Sequence, residues 1–98
     1  MFDKMKQLME MQKKMQELKR ELESTVFEVA SKDGCVKVSM SAAQEVKEVF
    51  INIDTSKADK AALERSSKDA FNKAIKRAQE IAAGKMKEIS GLNIPGLT

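Results

Sequence analysis

The chain has no histidine, no tryptophan and no tyrosine, and a single cysteine and a single proline among its 98 residues. Each absence removes a class of chemistry. Without histidine the commonest general base at neutral pH is missing, and one cysteine alone cannot complete a four-ligand zinc site. The lone Cys35 has no partner for an internal disulfide, so the sequence bears no mark of an oxidising compartment and a reducing cytoplasm is expected. The four glycines stand at 34, 84, 91 and 96, in neither P-loop nor dinucleotide-binding spacing. No stretch approaches the ~20 apolar residues of a membrane span. Asp3, Lys4 and Lys6 interrupt the first apolar run, so no secretory leader is expected. Carboxylates such as Glu45 and Glu48 have no catalytic partner in sight and read as surface acids. The expectation is a chain without cofactor, metal or small-molecule substrate, and not an enzyme.

What is present is a methionine-rich amphipathic stretch, a β-patterned middle and a lysine-rich amphipathic stretch. In the first, Leu8, Met11, Met15, Leu18 and Leu22 recur at spacings of three and four, the a and d positions of a heptad. The stretch is predicted to be a helix through residue 24. Lys6, Lys13 and Arg20 repeat every seven residues along another face, edged by Phe2 and Met9. Glu10 and Glu17 lie four residues after Lys6 and Lys13 and would partly neutralise that stripe.

Residues 25–54 switch to a period of two and to β-branched side chains, which predicts three strands over 25–31, 35–41 and 45–53. Asp33-Gly34 is a favoured two-residue hairpin turn that pairs Val29 with Val38 and Phe27 with Met40. Cys35, beside that turn, reads as a small half-buried apolar residue and not as a nucleophile. Strict alternation in the third strand puts Val49, Ile51 and Ile53 on one face and Val46 and Phe50 on the other. One face can cover the chain's own helices, and a second copy of the chain is the economical partner for the other. Val46 and Phe50, with Leu18 and Leu22 of the first helix, are the expected dimer contacts.

Asp54-Thr55-Ser56 supplies turn and N-cap chemistry, with Asp59 as a capping-box acid, for a helix over 56–90. In it Leu63, Ala70, Phe71, Ala74, Ile75, Ala78, Ile81 and Ala82 gather within an arc of about 140°. Arg65, Lys68, Lys73, Lys76 and Arg77 lie on the opposite arc, mixed with Asp69 and Glu80. Gly84 weakens the helix, so that 85–90 reads as a separable turn. The tail 91–98 holds Pro95 and two glycines, which exclude a regular helix there. The whole is a single domain of α+β class: α-β-β-β-α, a three-stranded antiparallel sheet flanked by two long helices.

Charge is unevenly spread. Residues 1–23 carry six Lys/Arg against five Asp/Glu, residues 24–56 three against five, and residues 57–98 nine against five. Basic helices around an acidic middle point to a polyanionic partner. The DNA-facing candidates are Lys6, Lys13, Arg20, Arg65, Lys68, Lys73, Lys76 and Arg77. With four Phe and no Tyr or Trp, stacking platforms for single strands are missing, so duplex phosphates are the favoured target. The competing reading is a structural protein whose heptad helices dock another protein.

Certain runs, in this order and spacing, carry a resemblance: Met5-Lys6-Gln7-Leu8-Met9 through Met15-Gln16-Glu17-Leu18; Gly34-Cys35-Val36-Lys37-Val38-Ser39-Met40; Glu45-Val46-Lys47-Glu48-Val49-Phe50-Ile51; and Ala70-Phe71-Asn72-Lys73-Ala74-Ile75-Lys76-Arg77-Ala78. With the closing Pro95-Gly96, they make the chain similar to the YbaB/EbfC family of bacterial nucleoid-associated proteins over almost its whole length. The resemblance implies an intertwined homodimer with helical arms arranged like tweezers. It also implies binding of double-stranded DNA in the nucleoid, with a role in nucleoid organisation or gene regulation. The chain departs from the family pattern at Ser41-Ala42-Ala43-Gln44, where an Asn-Gly type of turn is usual, and at Thr55-Ser56-Lys57-Ala58 after the third strand.

Overall fold

Period-two patterning in the middle of the chain builds a three-stranded antiparallel sheet in the order β1 (Val26–Ala30), β2 (Val36–Ser41), β3 (Val46–Ile51). Helix α1 (Phe2–Ser24) precedes it and α2 (Lys60–Ser90) follows, the α-β-β-β-α order expected. The computed structural model describes residues 2–53 and 59–90. The expected cap at Asp54-Thr55-Ser56 and the tail 91–98 lie outside those residues.

The β1–β2 register is the expected one, with Phe27 opposite Met40 and Val29 opposite Val38. The loop that sets it is longer. A two-residue Asp-Gly turn of the hairpin type needs positive φ at both residues, and here only Gly34 has it, at 76°. Ser31 closes the ladder by donating its N–H to Val36 O at 2.8 Å, and Gly34 N–H returns to Ser31 O at 2.9 Å. The residue sums that define the pairing are the same for both loops, so the register survives the change. At the second turn Gln44 takes the left-handed conformation, φ 65°, at the position where Asn or Gly is favoured. Its N–H bonds Ser41 O at 2.9 Å, and the Ser41 hydroxyl accepts Glu45 N–H at 3.2 Å.

The core lies between β2 and α2. Val36, Val38 and Met40 on one face of β2 meet Ala70, Ala74 and Ala78, all buried. Phe27, Val29, Cys35, Leu63 and Phe71 pack around them. Alanine every fourth residue lets the helix backbone sit close to the sheet, which is why the small residues of the apolar arc are its most buried members. Ile75, assigned to the same arc, is 39% exposed and stands on its margin.

Three expectations are corrected. Helix α2 begins at Lys60, and Asp59 is its N-cap itself: Asp59 Oδ1 accepts Ala61 N–H at 3.0 Å. The helix also runs unbroken through Gly84 to Ser90. A single glycine costs about 1 kcal/mol against alanine, which is not enough to stop a helix carried by its neighbours. In β3 a bulge between Ser39 and Met40 places Met40 opposite Val46 and Ser39 opposite Glu48. The extra residue moves Val46 to the face of Val49 and Ile51, not that of Phe50.

Helix α2 spans β1 and β2 and leaves β3 uncovered. All six β3 residues are exposed, with Val46, Val49, Phe50 and Ile51 between 42% and 55%. At its far end α2 reaches α1, where Lys85 Nζ stands 3.8 Å from Glu21. Leu18 is buried at 7% and Leu22 half-buried, whereas Met5, Leu8, Met9, Met11 and Met15 are each at least 50% exposed. At 1.5 Å per residue the two helices would total about 80 Å. The long axis of the molecule is 69 Å, so they overlap by only about two turns. The N-terminal part of α1 is therefore an arm projecting past the body.

Candidate nucleic-acid interface

Helix α2 turns its Ala70–Ala74–Ala78 edge to the sheet, and the opposite pole follows from 100° per residue. Arg65, Lys68, Asn72, Lys76 and Gln79 fall there within about 80° of arc, at spacings of three and four, and run for about 21 Å. All five are exposed, and no carboxylate lies on the strip between them. The acids Asp69 and Glu80, mixed with the cations in the linear sequence, stand on the flank.

The flank is occupied by bonds within the protein. Lys73 Nζ lies 3.2 Å from Asp69 and 3.4 Å from Ala30 O, and Arg77 lies 3.5 Å from Glu80. In contrast, among the described residues Arg65, Lys68 and Lys76 enter no ion pair, nor do Lys6, Lys13 and Arg20 on the exposed arm. The expected Lys6–Glu10 and Lys13–Glu17 pairings do not form, so the arm's cations also face solvent unneutralised. The candidate residues thus divide into six solvent-facing cations and two engaged ones. They are spread along both helices and do not converge on one pocket.

A polar network that sequence reasoning did not single out ties the β1–β2 hairpin to α2. Asp33 Oδ1 accepts the Ser31 hydroxyl at 2.6 Å and Cys35 N–H at 3.0 Å, while its Oδ2 accepts the Ser66 hydroxyl. One turn further along α2, Asp69 Oδ2 accepts Lys32 N–H at 2.8 Å. Donors around a carboxylate favour its charged form. The Ser31 hydroxyl, then the Ser66 hydroxyl and Cys35 N–H, hold Asp33 well below the usual carboxylate range. Lys32 N–H, then Lys73, lower Asp69. Burial and the neighbouring Asp33 push the Cys35 thiol up, which suits a packed apolar residue. The Ser31–Asp33, Asp33–Cys35 and Asp69–Lys73 contacts are local in the sequence, but the bonds that tie the hairpin to α2 join residues more than thirty positions apart.

Beside this network an open hollow of about 470 Å³ separates Lys32 on the hairpin from Arg65 on α2. Along the arm Met5 and Met9 stand exposed beside Lys6, Glu10 and Lys13. Among the described residues no group of three or more Cys, Asp or Glu could hold a metal ion, and no helix is long and apolar enough to cross a membrane.

The chain is a small α-β-β-β-α scaffold that presents exposed cations without ion pairs on two long helices. Consistent with this, the chain belongs to the YbaB/EbfC DNA-binding family, whose model matches residues 1–92. It is 38% identical over 96 residues to a nucleoid-associated protein of Dictyoglomus turgidum, covering 96% of this chain and 92% of that one. A nucleoid-associated protein of Clostridium acetobutylicum is 34% identical over 94 residues, covering 94% and 84%. The fold is shared with the crystal structure of an uncharacterized protein from Helicobacter pylori, with TM-score 0.77 at 23% identity, covering 91% of this chain and 96% of that one.

Proposed function

We propose that this protein is a nucleoid-associated homodimer that binds double-stranded DNA through phosphates, with a role in nucleoid organisation or gene regulation. The observation that carries the reading is the acid-free strip Arg65–Lys68–Asn72–Lys76–Gln79 on the outward pole of α2, in a member of a DNA-binding family. Three cations and two amides along about 21 Å suit a row of phosphates better than base edges, for which a denser set of Arg, Asn and Gln is needed. Lys6, Lys13 and Arg20 on the arm add a second basic stripe. Two copies would double both, and helices of this length compare with the ~34 Å separation of successive grooves on one side of a duplex. Association is supported by the bare face of β3, where Val46, Val49 and Ile51 lie on one side and Phe50 on the other, each nearly half exposed or more. The cytoplasm, and the nucleoid within it, is the compartment this reading requires.

Binding to a random-sequence duplex should weaken steeply with salt, with a log–log slope of about −5 for six phosphate contacts. Replacing Arg65, Lys68 and Lys76 with Glu should remove binding while sedimentation and circular dichroism remain those of the parent. Full affinity in that folded variant would move the DNA site off α2. The exposed Leu8, Met11 and Met15 favour a second reading, in which α1 docks a protein partner through its heptad seam. A stoichiometric partner that survives nuclease treatment and no longer binds Met11→Asp would establish it.

A further inference from the structure

Lys73 is drawn inward by two contacts, and Lys32 is left outward by the same network. Asp69 binds the Lys32 N–H at 2.8 Å, and Lys73 satisfies Asp69 at 3.2 Å while reaching across to Ala30 O at 3.4 Å. Two residues of the hairpin are thereby fixed to one turn of α2, and the Ser66–Asp33 bond fixes the tip one turn earlier. The Lys32 side chain takes no part: its ammonium forms no ion pair with the described residues, and it stands across the open hollow from Arg65. If Lys73 left Asp69 for a phosphate, it would uncover a carboxylate directly beside the polyanion, and like charges at short range repel. Where Lys73 stays, it neutralises Asp69 and leaves Lys32 free to extend to solvent. The two lysines are therefore opposite in role although both are exposed.

We infer that Lys73 is a positioning residue that pins the hairpin tip to α2, and that Lys32, held by its backbone in that clamp, is a further phosphate contact beside Arg65. The inference rests on the DNA-binding reading above. It extends the basic strip off the helix and onto the turn of the sheet, and it withdraws one cation from the strip's flank.

The test is the salt dependence of duplex binding for Lys32→Gln, Lys73→Gln, Lys73→Arg and Lys76→Gln, with amide hydrogen exchange at residue 32 measured on the same proteins. Removing one phosphate-bound cation makes the log–log slope shallower by about 0.9 per protomer engaged. Lys32→Gln and Lys76→Gln should each show that change. Lys73→Gln should speed exchange of the Lys32 amide and, placed in the Lys32→Gln protein, should leave the slope where Lys32→Gln alone puts it, and Lys73→Arg should restore slow exchange. A slope shallower in the double variant than in Lys32→Gln by about a further 0.9 would make Lys73 a phosphate ligand and overturn the inference. A parental slope in Lys32→Gln, or unchanged exchange in Lys73→Gln, would overturn it as well. Absence of salt-dependent binding by the unaltered protein would instead remove the DNA reading, whatever the exchange data show.

Discussion

At the scale of single residues, Asp33 gathers three donors, from the hairpin and from α2, around one carboxylate. Its folded-state pKa lies below the ordinary value of about 3.9, so the stabilisation is present above that value and is lost as pH falls below it toward the folded pKa. Asp69, lowered by the Lys32 N–H and Lys73, adds in the same direction. Thermal melts of the parent and Asp33→Asn should differ most near neutral pH and converge progressively below about pH 4. A gap that stays constant down to strongly acidic pH would mean that the charge of Asp33 is irrelevant to the clamp. The other informative residue is Gly84, where an added methyl would meet nothing within 4 Å in the middle of a continuous helix. Gly84→Ala should stabilise the protein by about 0.5–1 kcal/mol in urea unfolding, because the backbone entropy of glycine is no longer lost.

At the scale of elements, α2 is held by close approach, and the approach is set by Ala70, Ala74 and Ala78 against Val36 and Val38. Ala74→Leu would force side chains into a filled layer and should cost about 1–3 kcal/mol, read as a lower urea midpoint at unchanged m-value. The elements themselves were legible because their signals are local. The heptad of α1, the alanine edge of α2 and the alternation that pairs Phe27 with Met40 are all written in spacings of two to four residues. What could not be read depends on contacts between distant segments. The bulge that moves Val46 across the sheet leaves no mark in the β3 composition, which alternates as well with it as without it. Asp69 looked like a surface acid diluting a basic face, and its bond to the Lys32 backbone spans thirty-seven residues. The site follows the same rule. Which lysines lie on the basic arc is a matter of helical period, but which of them are already engaged is decided by the hairpin packed alongside.

At the scale of the whole molecule, one apolar sheet face is left half covered and one helix extends past its support. Val49→Glu combined with Ile51→Lys should yield a monomer in sedimentation equilibrium, with DNA affinity falling far more than the unchanged cations of each copy would suggest, because a second attachment no longer follows the first. A dimer of unaltered mass in that variant would remove β3 from the association surface. The arm has a different consequence. Among the described side chains of α1 only Leu18 is buried, and residues 3–17 are exposed throughout. A helix of about fifteen residues with every side chain exposed is close to its coil in free energy. Its order is therefore borrowed from whatever lies along it. Capture of a partner by this arm would carry the calorimetric signature of folding, a favourable enthalpy offset by lost chain entropy. The reach of the free protein would then exceed that of its bound form, since the arm can search as a coil for a surface that it grips only as a helix.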